Sequence, residues 1–264
     1  MKKILLTAVA ATMLFSCKNE NKTENATADS EEMAMTEDTV ETEFNITPIE
    51  HATAVFDFGD SVFYIDPVGG ESAFERQPKP DVILVTDIHG DHLNEETLNA
   101  VADSTTTIFA PQAVIDALKT DLKNRVNLIA NGDMKSWDGY ELTAIPMYNL
   151  REEAKQFHEK GRGNGYVIEK DGMRVYFSGD TEDIPEMRSL KDIDKAFVCM
   201  NLPYTMTVET AADGVIAFAP KQVYPYHFRG QDGLSDTDKF KSLVDAADVG
   251  TEVILLDWYP NQGE

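Results

Sequence analysis

The sequence predicts an α/β fold in which sheets are covered by helices. Three observations carry this. Apolar runs of strand length outnumber helical periodicities. The helical segments fall between strands instead of forming a block. And 264 residues with 42% hydrophobic side chains suffice for one sizeable core. Two cysteines in such a chain exclude a disulfide-stapled mini-protein. The balance of 47 acidic against 23 basic residues, a net charge of −24, opposes a polyanionic partner, so no nucleic acid is expected. A small anionic substrate stays open, because a bound metal can outweigh the global field locally.

The elements follow in order. HATAVFDFGDSVFYIDP alternates like two strands joined at Gly59-Asp60 and ends at Asp66-Pro67. PDVILVTD is a β-branched, buried strand. Residues 94–101 form a helix, and PQAVIDALK a second one with Pro111 in its first turn. Short strands are expected at 126–130 and 141–146. A hairpin pairs 166–169 with 174–178 around Lys170-Asp171-Gly172. Residues 196–200 and 222–226 are strands, 208–218 and 237–247 are helices, and 252–256 is a last strand.

The region before the fold reads as address and tether. Lys2 and Lys3 precede a largely apolar run at 4–14, shorter than the about 20 residues needed to span a bilayer. Residues 1–17 therefore read as a signal peptide. Its LFSC ending resembles a bacterial lipoprotein signal, which implies lipidation of Cys17, export and a membrane anchor. Residues 18–43 hold nine acids, two lysines and no aromatic residue, so they are expected to be a disordered, self-repelling spacer. The folded domain spans 44–264.

Candidate chemistry gathers where strands end. The chain has five histidines, and two lie in TDIHGDHLN with Asp87 and Asp91. Asp87 and His89, two apart in extended chain, point the same way. Gly90 is expected to turn the chain so that Asp91 and His92 face the same pocket. Four ligand-type side chains within residues 87–92 can serve one or two metal ions. Asp180 in YFSGDTED and His227 in KQVYPYHFRG each follow a strand, where α/β active sites assemble.

This order of residues resembles the metallo-β-lactamase superfamily. That family carries an H-x-H-x-D-H loop, a later His, an Asp after Gly, and a final His. Here the order is Asp87, His89, Asp91, His92, then Asp180, then His227. The first hairpin with its Asp-Pro is similar too, and the match runs from about Ile49 onward. The nearest likeness is the lactonase-like branch typified by L-ascorbate 6-phosphate lactonase. The resemblance implies an αββα sandwich of two mixed sheets, with divalent ions in the groove at the sheets' edges. It implies one ion held by Asp91, His92 and His227, another by Asp87 and His89, and Asp180 bridging.

Two departures stand out. The family's first His is Asp87 here, and the His expected after strand 141–146 is replaced by Tyr148-Asn149. His158, in KQFHEKGRGNGY, is the candidate to supply the missing imidazole. His51 is expected to be a buried supporting residue, and Cys199 an inert thiol in an apolar strand. Three carboxylates, at Asp87, Asp91 and Asp180, make the site oxygen-rich. That shifts preference toward Mn²⁺ or Fe²⁺, with Zn²⁺ also admitted.

The resemblance implies a metal-activated water attacking a small ester, lactone or related substrate, with Asp91 orienting that water and taking its proton. Arg229, two residues past His227, is the candidate to contact an anionic group. The loop at 151–162 mixes four basic and three acidic side chains and reads as solvated. Two other readings stay open. One is a phosphodiesterase of the same fold; the other is a non-catalytic, metal-containing binding lipoprotein.

Overall fold

Alternation of side chains builds the first hairpin. In the computed structural model, which describes residues 42–260, β2 (Thr53–Phe58) pairs antiparallel with β3 (Ser61–Ile65). Phe56 and Phe58 face one side and Val55 the other. β1 (Phe44–Glu50) adds to β2, while β4 (Val82–Leu84), β5 (Thr107–Ala110) and β6 (Val126–Leu128) extend the sheet in parallel from β3. The readings of residues 1–17, of Cys17 and of the spacer up to residue 41 lie outside the described residues.

The second sheet contains β7 (Met134–Trp137), β8 (Tyr140–Met147), β9 (Gly163–Lys170), β10 (Met173–Phe177), β11 (Lys195–Cys199) and β12 (Gln222–Tyr226). β7 to β10 meander antiparallel, and β10, β11 and β12 run parallel. A two-residue ribbon of β13 (Arg229–Gly230) and β14 (Gly233–Leu234) follows. β15 (Glu252–Val253) closes the edge beside β12.

The sheets pack face to face. Phe56 stacks on Phe177 at 5.0 Å, and Phe177 on Phe197 at 4.3 Å. Val55, Tyr64 and Ile83 face outward from the first sheet, into a cluster with Leu98 of α1 (Glu95–Val101) and Val114 of α2 (Gln112–Ala117). On the far side of the second sheet, Tyr176 meets Phe218 of α4 (Val208–Phe218) edge-on. α3 (Pro185–Arg188) and α5 (Thr237–Ala247) complete that layer. The result is the αββα sandwich of two mixed sheets flanked by helices.

The helix starts are written locally. Asn94, Thr207 and Asp236 each accept a backbone N–H at an N-cap. Several strand limits differ from the pattern reading. The last strand stops at Val253 instead of residue 256, and β9 begins at Gly163, three residues early. β5 and β7 lack an alternating run and take their partners from the sheet, whereas β1 alternates, with Phe44 and Ile46 half-buried and Asn45 and Thr47 exposed. Among the described residues, no helix is long and apolar enough to cross a membrane.

Parallel strands end on the same edge, so residues just past β3 and β4, and past β10, β11 and β12, gather at one rim. Phe177, fully buried between both sheets, ties the layers beneath that rim. Phe177→Ala should cost about 3–5 kcal/mol, read as a lower urea midpoint with an unchanged far-ultraviolet spectrum.

Candidate metal centre

The loop after β4 turns by backbone hydrogen bonds. The N–H groups of His92 and Leu93 donate to the His89 carbonyl at 3.0 and 2.8 Å. Gly90, expected to supply this turn, has open space around it and no left-handed φ. The glycine that the site does need is Gly179. Its φ is 60°, and a Cβ there would lie 2.6 Å from Met147 Sδ, so Ser178-Gly179 swings Asp180 into the rim.

Asp66 prepares His92. It follows β3 at φ 45° and is fully buried. Its carboxylate accepts from the Thr86 N–H at 2.7 Å, the Thr86 hydroxyl at 2.6 Å and His92 Nδ1–H at 2.8 Å. With its proton on Nδ1, His92 aims the lone pair of Nε2 at the rim. Nε2 of His227 lies 3.1 Å away, and Asp180 Oδ2 lies 3.3 Å away. His227, also at left-handed φ, places the same Nε2 3.4 Å from Asp180 Oδ1 and 3.3 Å from Asp91 Oδ2.

His158 reaches the site from the 151–162 segment, held by the residue that replaced the expected His. Asn149 Nδ2 donates to the carbonyls of Ala154 and Tyr204 at 2.9 and 2.6 Å. With both amide protons used, His158 Nδ1–H is left to donate to the Tyr204 carbonyl at 3.2 Å. Nε2 then faces Asp180 Oδ2 at 3.1 Å without a hydrogen bond.

Asp91 is positioned by a chain of hydrogen bonds. The Tyr259 hydroxyl accepts from the N–H groups of Phe228 and Arg229, both at 3.0 Å, so its proton goes to His51 Nδ1 at 2.7 Å. His51 Nε2–H therefore points at Asp91 Oδ2, 3.3 Å away. Burial lowers the pKa of His51, in keeping with a neutral ring. His51 thus supports Asp91 from behind and also stacks on His227 at 3.8 Å.

Asp87 and His89 meet at 2.9 Å, and the structure adds a partner that the loop composition hid. Arg162 grips Asp87 with two donors, Nε to Oδ1 at 3.0 Å and Nη2 to Oδ2 at 2.8 Å. The loop is therefore not merely solvated. Arg151 is likewise tied down, to Glu182 at 2.6 Å and to the carbonyls of Pro203 and Thr205. Arg229 lies 5.1 Å over the Tyr259 ring and 3.3 Å from Glu50. Cys199 is buried, and burial pushes its thiol up to about 12, so it is unreactive.

These donors fit divalent cations. Asp180 Oδ1 and the Nε2 of His158 are buried without a hydrogen-bond partner. Groupings of His92, Asp180 and His227, of His51, Asp91 and His227, and of Asp87, His89 and His158 each bring donor atoms within 4.8 Å. Burial alone would raise Asp180, but His227, His92 and His158 around it hold its carboxyl well below the usual range. Burial would likewise lower His92, yet Asp180 and Asp66 on either side raise it well above the ordinary imidazole value.

Fold and donor set together define a metal-dependent hydrolase of the metallo-β-lactamase fold. The chain belongs to the β-lactamase superfamily: a family model described as a beta-lactamase superfamily domain matches residues 45–227. A UPF0173 metal-dependent hydrolase of Thermococcus onnurineus is 29% identical over 208 residues, 75% of this chain and 90% of that protein. A crystal structure from Parabacteroides distasonis, assigned to the metal-dependent hydrolases, superposes with a TM-score of 0.73 at 36% identity. It covers 83% of this chain and 94% of that one. A metallo hydrolase from Ignicoccus hospitalis, 21% identical with a TM-score of 0.66 over 80% of this chain and 94% of that one, shares the fold.

The raised pKa of His92 sets the sign of a pH effect. Without a cation this ring keeps a second proton through neutrality, and binding a cation at Nε2 expels it. Metal affinity should therefore rise with pH across the neutral range. Competition titrations against a chelator at pH 6 and pH 8 check this; equal affinities, corrected for the chelator's own protonation, would count against it.

Proposed function

We propose that the chain is an exported, lipid-tethered hydrolase of small uncharged esters or lactones. The observation that carries the substrate class is the cavity at the rim, about 290 Å³. It is lined by His89, Asp91, His158 and Asp180 on the metal side and by Phe157, Asn201 and Tyr204 opposite. This size suits a small molecule. Among the described residues, no Lys or Arg lines it. Nearby cations are engaged elsewhere, Arg151 by Glu182, Arg162 by Asp87 and Lys160 by Glu186. A phosphoryl group would find no counter-charge from side chains there, which favours carbonyl substrates over phosphodiesters.

A bound divalent ion supplies a polarised carbonyl and a more acidic water. The chain's own groups do the rest. Asp91, with its side chain 43% exposed, is the one carboxylate of the set that faces the cavity openly, and it takes the proton from the attacking water. His51 and Tyr259 are positioning residues that fix its rotamer. Phe157 and Tyr204, edge to face at 5.2 Å, offer an apolar wall for an acyl or alkyl group.

Nitrophenyl esters, simple lactones and bis(nitrophenyl) phosphate should separate the readings. Ester or lactone turnover should dominate, and Asp91→Asn should lower kcat by roughly 100-fold or more, with metal content measured alongside to separate lost proton transfer from lost cation. Faster phosphodiester turnover would favour the phosphodiesterase, and tight metal with no turnover at all the binding lipoprotein.

The tether rests on the LFSC segment ending at Cys17. In a bacterial host the full chain should fractionate with membranes, and Cys17→Ser should release it to the soluble fraction. Identical fractionation of both would remove the anchor from the proposal.

A further inference from the structure

The two halves of the donor cluster are not equivalent: in one of them Asp87 and His89 are already supplied with donors, and only His158 Nε2 stays open. Around Asp87 every strong acceptor has a donor. Oδ1 takes Arg162 Nε, and Oδ2 takes Arg162 Nη2 and His89. Arg162 Nη2 also lies 3.4 Å from His89 Nε2. A guanidinium can only donate, so His89 Nε2 is the acceptor and the ring proton sits on Nδ1, turned to Asp87. Its lone pair is thereby withheld from the pocket. Arg162 is itself anchored, donating to the Phe157 carbonyl as well.

The other half is different. His92 has its Nδ1 proton committed to Asp66, and its Nε2 faces His227 Nε2 at 3.1 Å. Asp180 stands between these rings, its Oδ1 without a hydrogen bond. Two ring nitrogens and a carboxylate converge there, and no hydrogen bond within the chain reaches Asp180 Oδ1, an arrangement that a cation satisfies.

We propose that the centre binds its two divalent ions unequally. The tight ion belongs to Asp91, His92, Asp180 and His227. The ion at Asp87, His89 and His158 is weak, because the Arg162 guanidinium occupies the electrostatic place of that second cation. Arg162 and Asp87 together act as a neutral unit where the family's pattern has an imidazole. A cation entering there must share the Asp87 oxygens with Arg162, shift the His89 proton and sit beside a fixed positive charge. This inference rests on the metal-centre reading but not on any substrate.

The test reads metal content, so it stands apart from hydrolysis. The full chain is loaded with Zn²⁺, or separately Mn²⁺, dialysed, and measured by elemental analysis, followed by titration against a chelator. Wild type should retain about one ion, with a second bound at least roughly 10-fold more weakly. Arg162→Gln should bring retention toward two ions. His89→Gln should leave the tight ion in place and His92→Gln should release it. Thermal melting of each variant confirms that it is folded; should Arg162→Gln fail to fold, the wild-type stoichiometry with the two histidine variants decides. Two equally tight ions in wild type would overturn the proposal. So would one ion in both wild type and folded Arg162→Gln, or loss of the tight ion in His89→Gln alone.

Discussion

The structure depends on one electrostatic constraint: ligand atoms converge in a buried space that hydrogen bonding within the chain leaves unsatisfied. Asp180 is almost wholly buried, and the imidazoles of His92, His158 and His227 all turn nitrogens toward it. In a low-dielectric interior such a cluster is costly unless positive charge enters. The surrounding fold acts to maintain the convergence. Two sheets locked by Phe56, Phe177 and Phe197 bring the ends of their parallel strands to a common edge.

Three of the donors are aimed by groups behind them. Asp66 and Thr86 orient His92, the Tyr204 carbonyl and Asn149 orient His158, and Tyr259 through His51 orients Asp91. These supporting contacts fix tautomers as well as positions, and the tautomer decides which nitrogen offers a lone pair. Backbone strain accompanies them: His51, Asp66 and His227 all have φ between 45° and 57°. Side chains other than glycine adopt that region at a cost, offset here by the surrounding hydrogen bonds.

Much of this was legible in the sequence because the chemistry follows strands directly. Asp87, His89, Asp91 and His92 sit within one loop, and Asp180 and His227 each follow an apolar strand within a few residues. Sheets covered by helices were legible from apolar runs bounded by turn residues, as in β2, β3 and β10, whereas the sandwich itself was implied by the family resemblance. His158 and Arg162 were harder. They lie in a polar segment whose charges resemble a solvated loop, and nothing local marks which of them turns inward. Arg162 meets Asp87 across 75 positions, and Tyr259 meets His51 across 208. Such pairings come from tertiary closure, which leaves no periodic trace. The oxygen-rich character inferred from three carboxylates is softened accordingly, because one of them is already neutralised by Arg162.

The hydrogen bond from Tyr259 to His51 has a consequence for biogenesis. It joins the turn after the first strand to a residue beyond the last one, so the support behind Asp91 spans the whole domain. A ribosome releases His51 long before Tyr259. Throughout translation the early loop therefore exists without its brace, and full shaping of the centre belongs to the finished polypeptide. The support behind Asp91 is thus completed only when the far end of the chain has joined the fold.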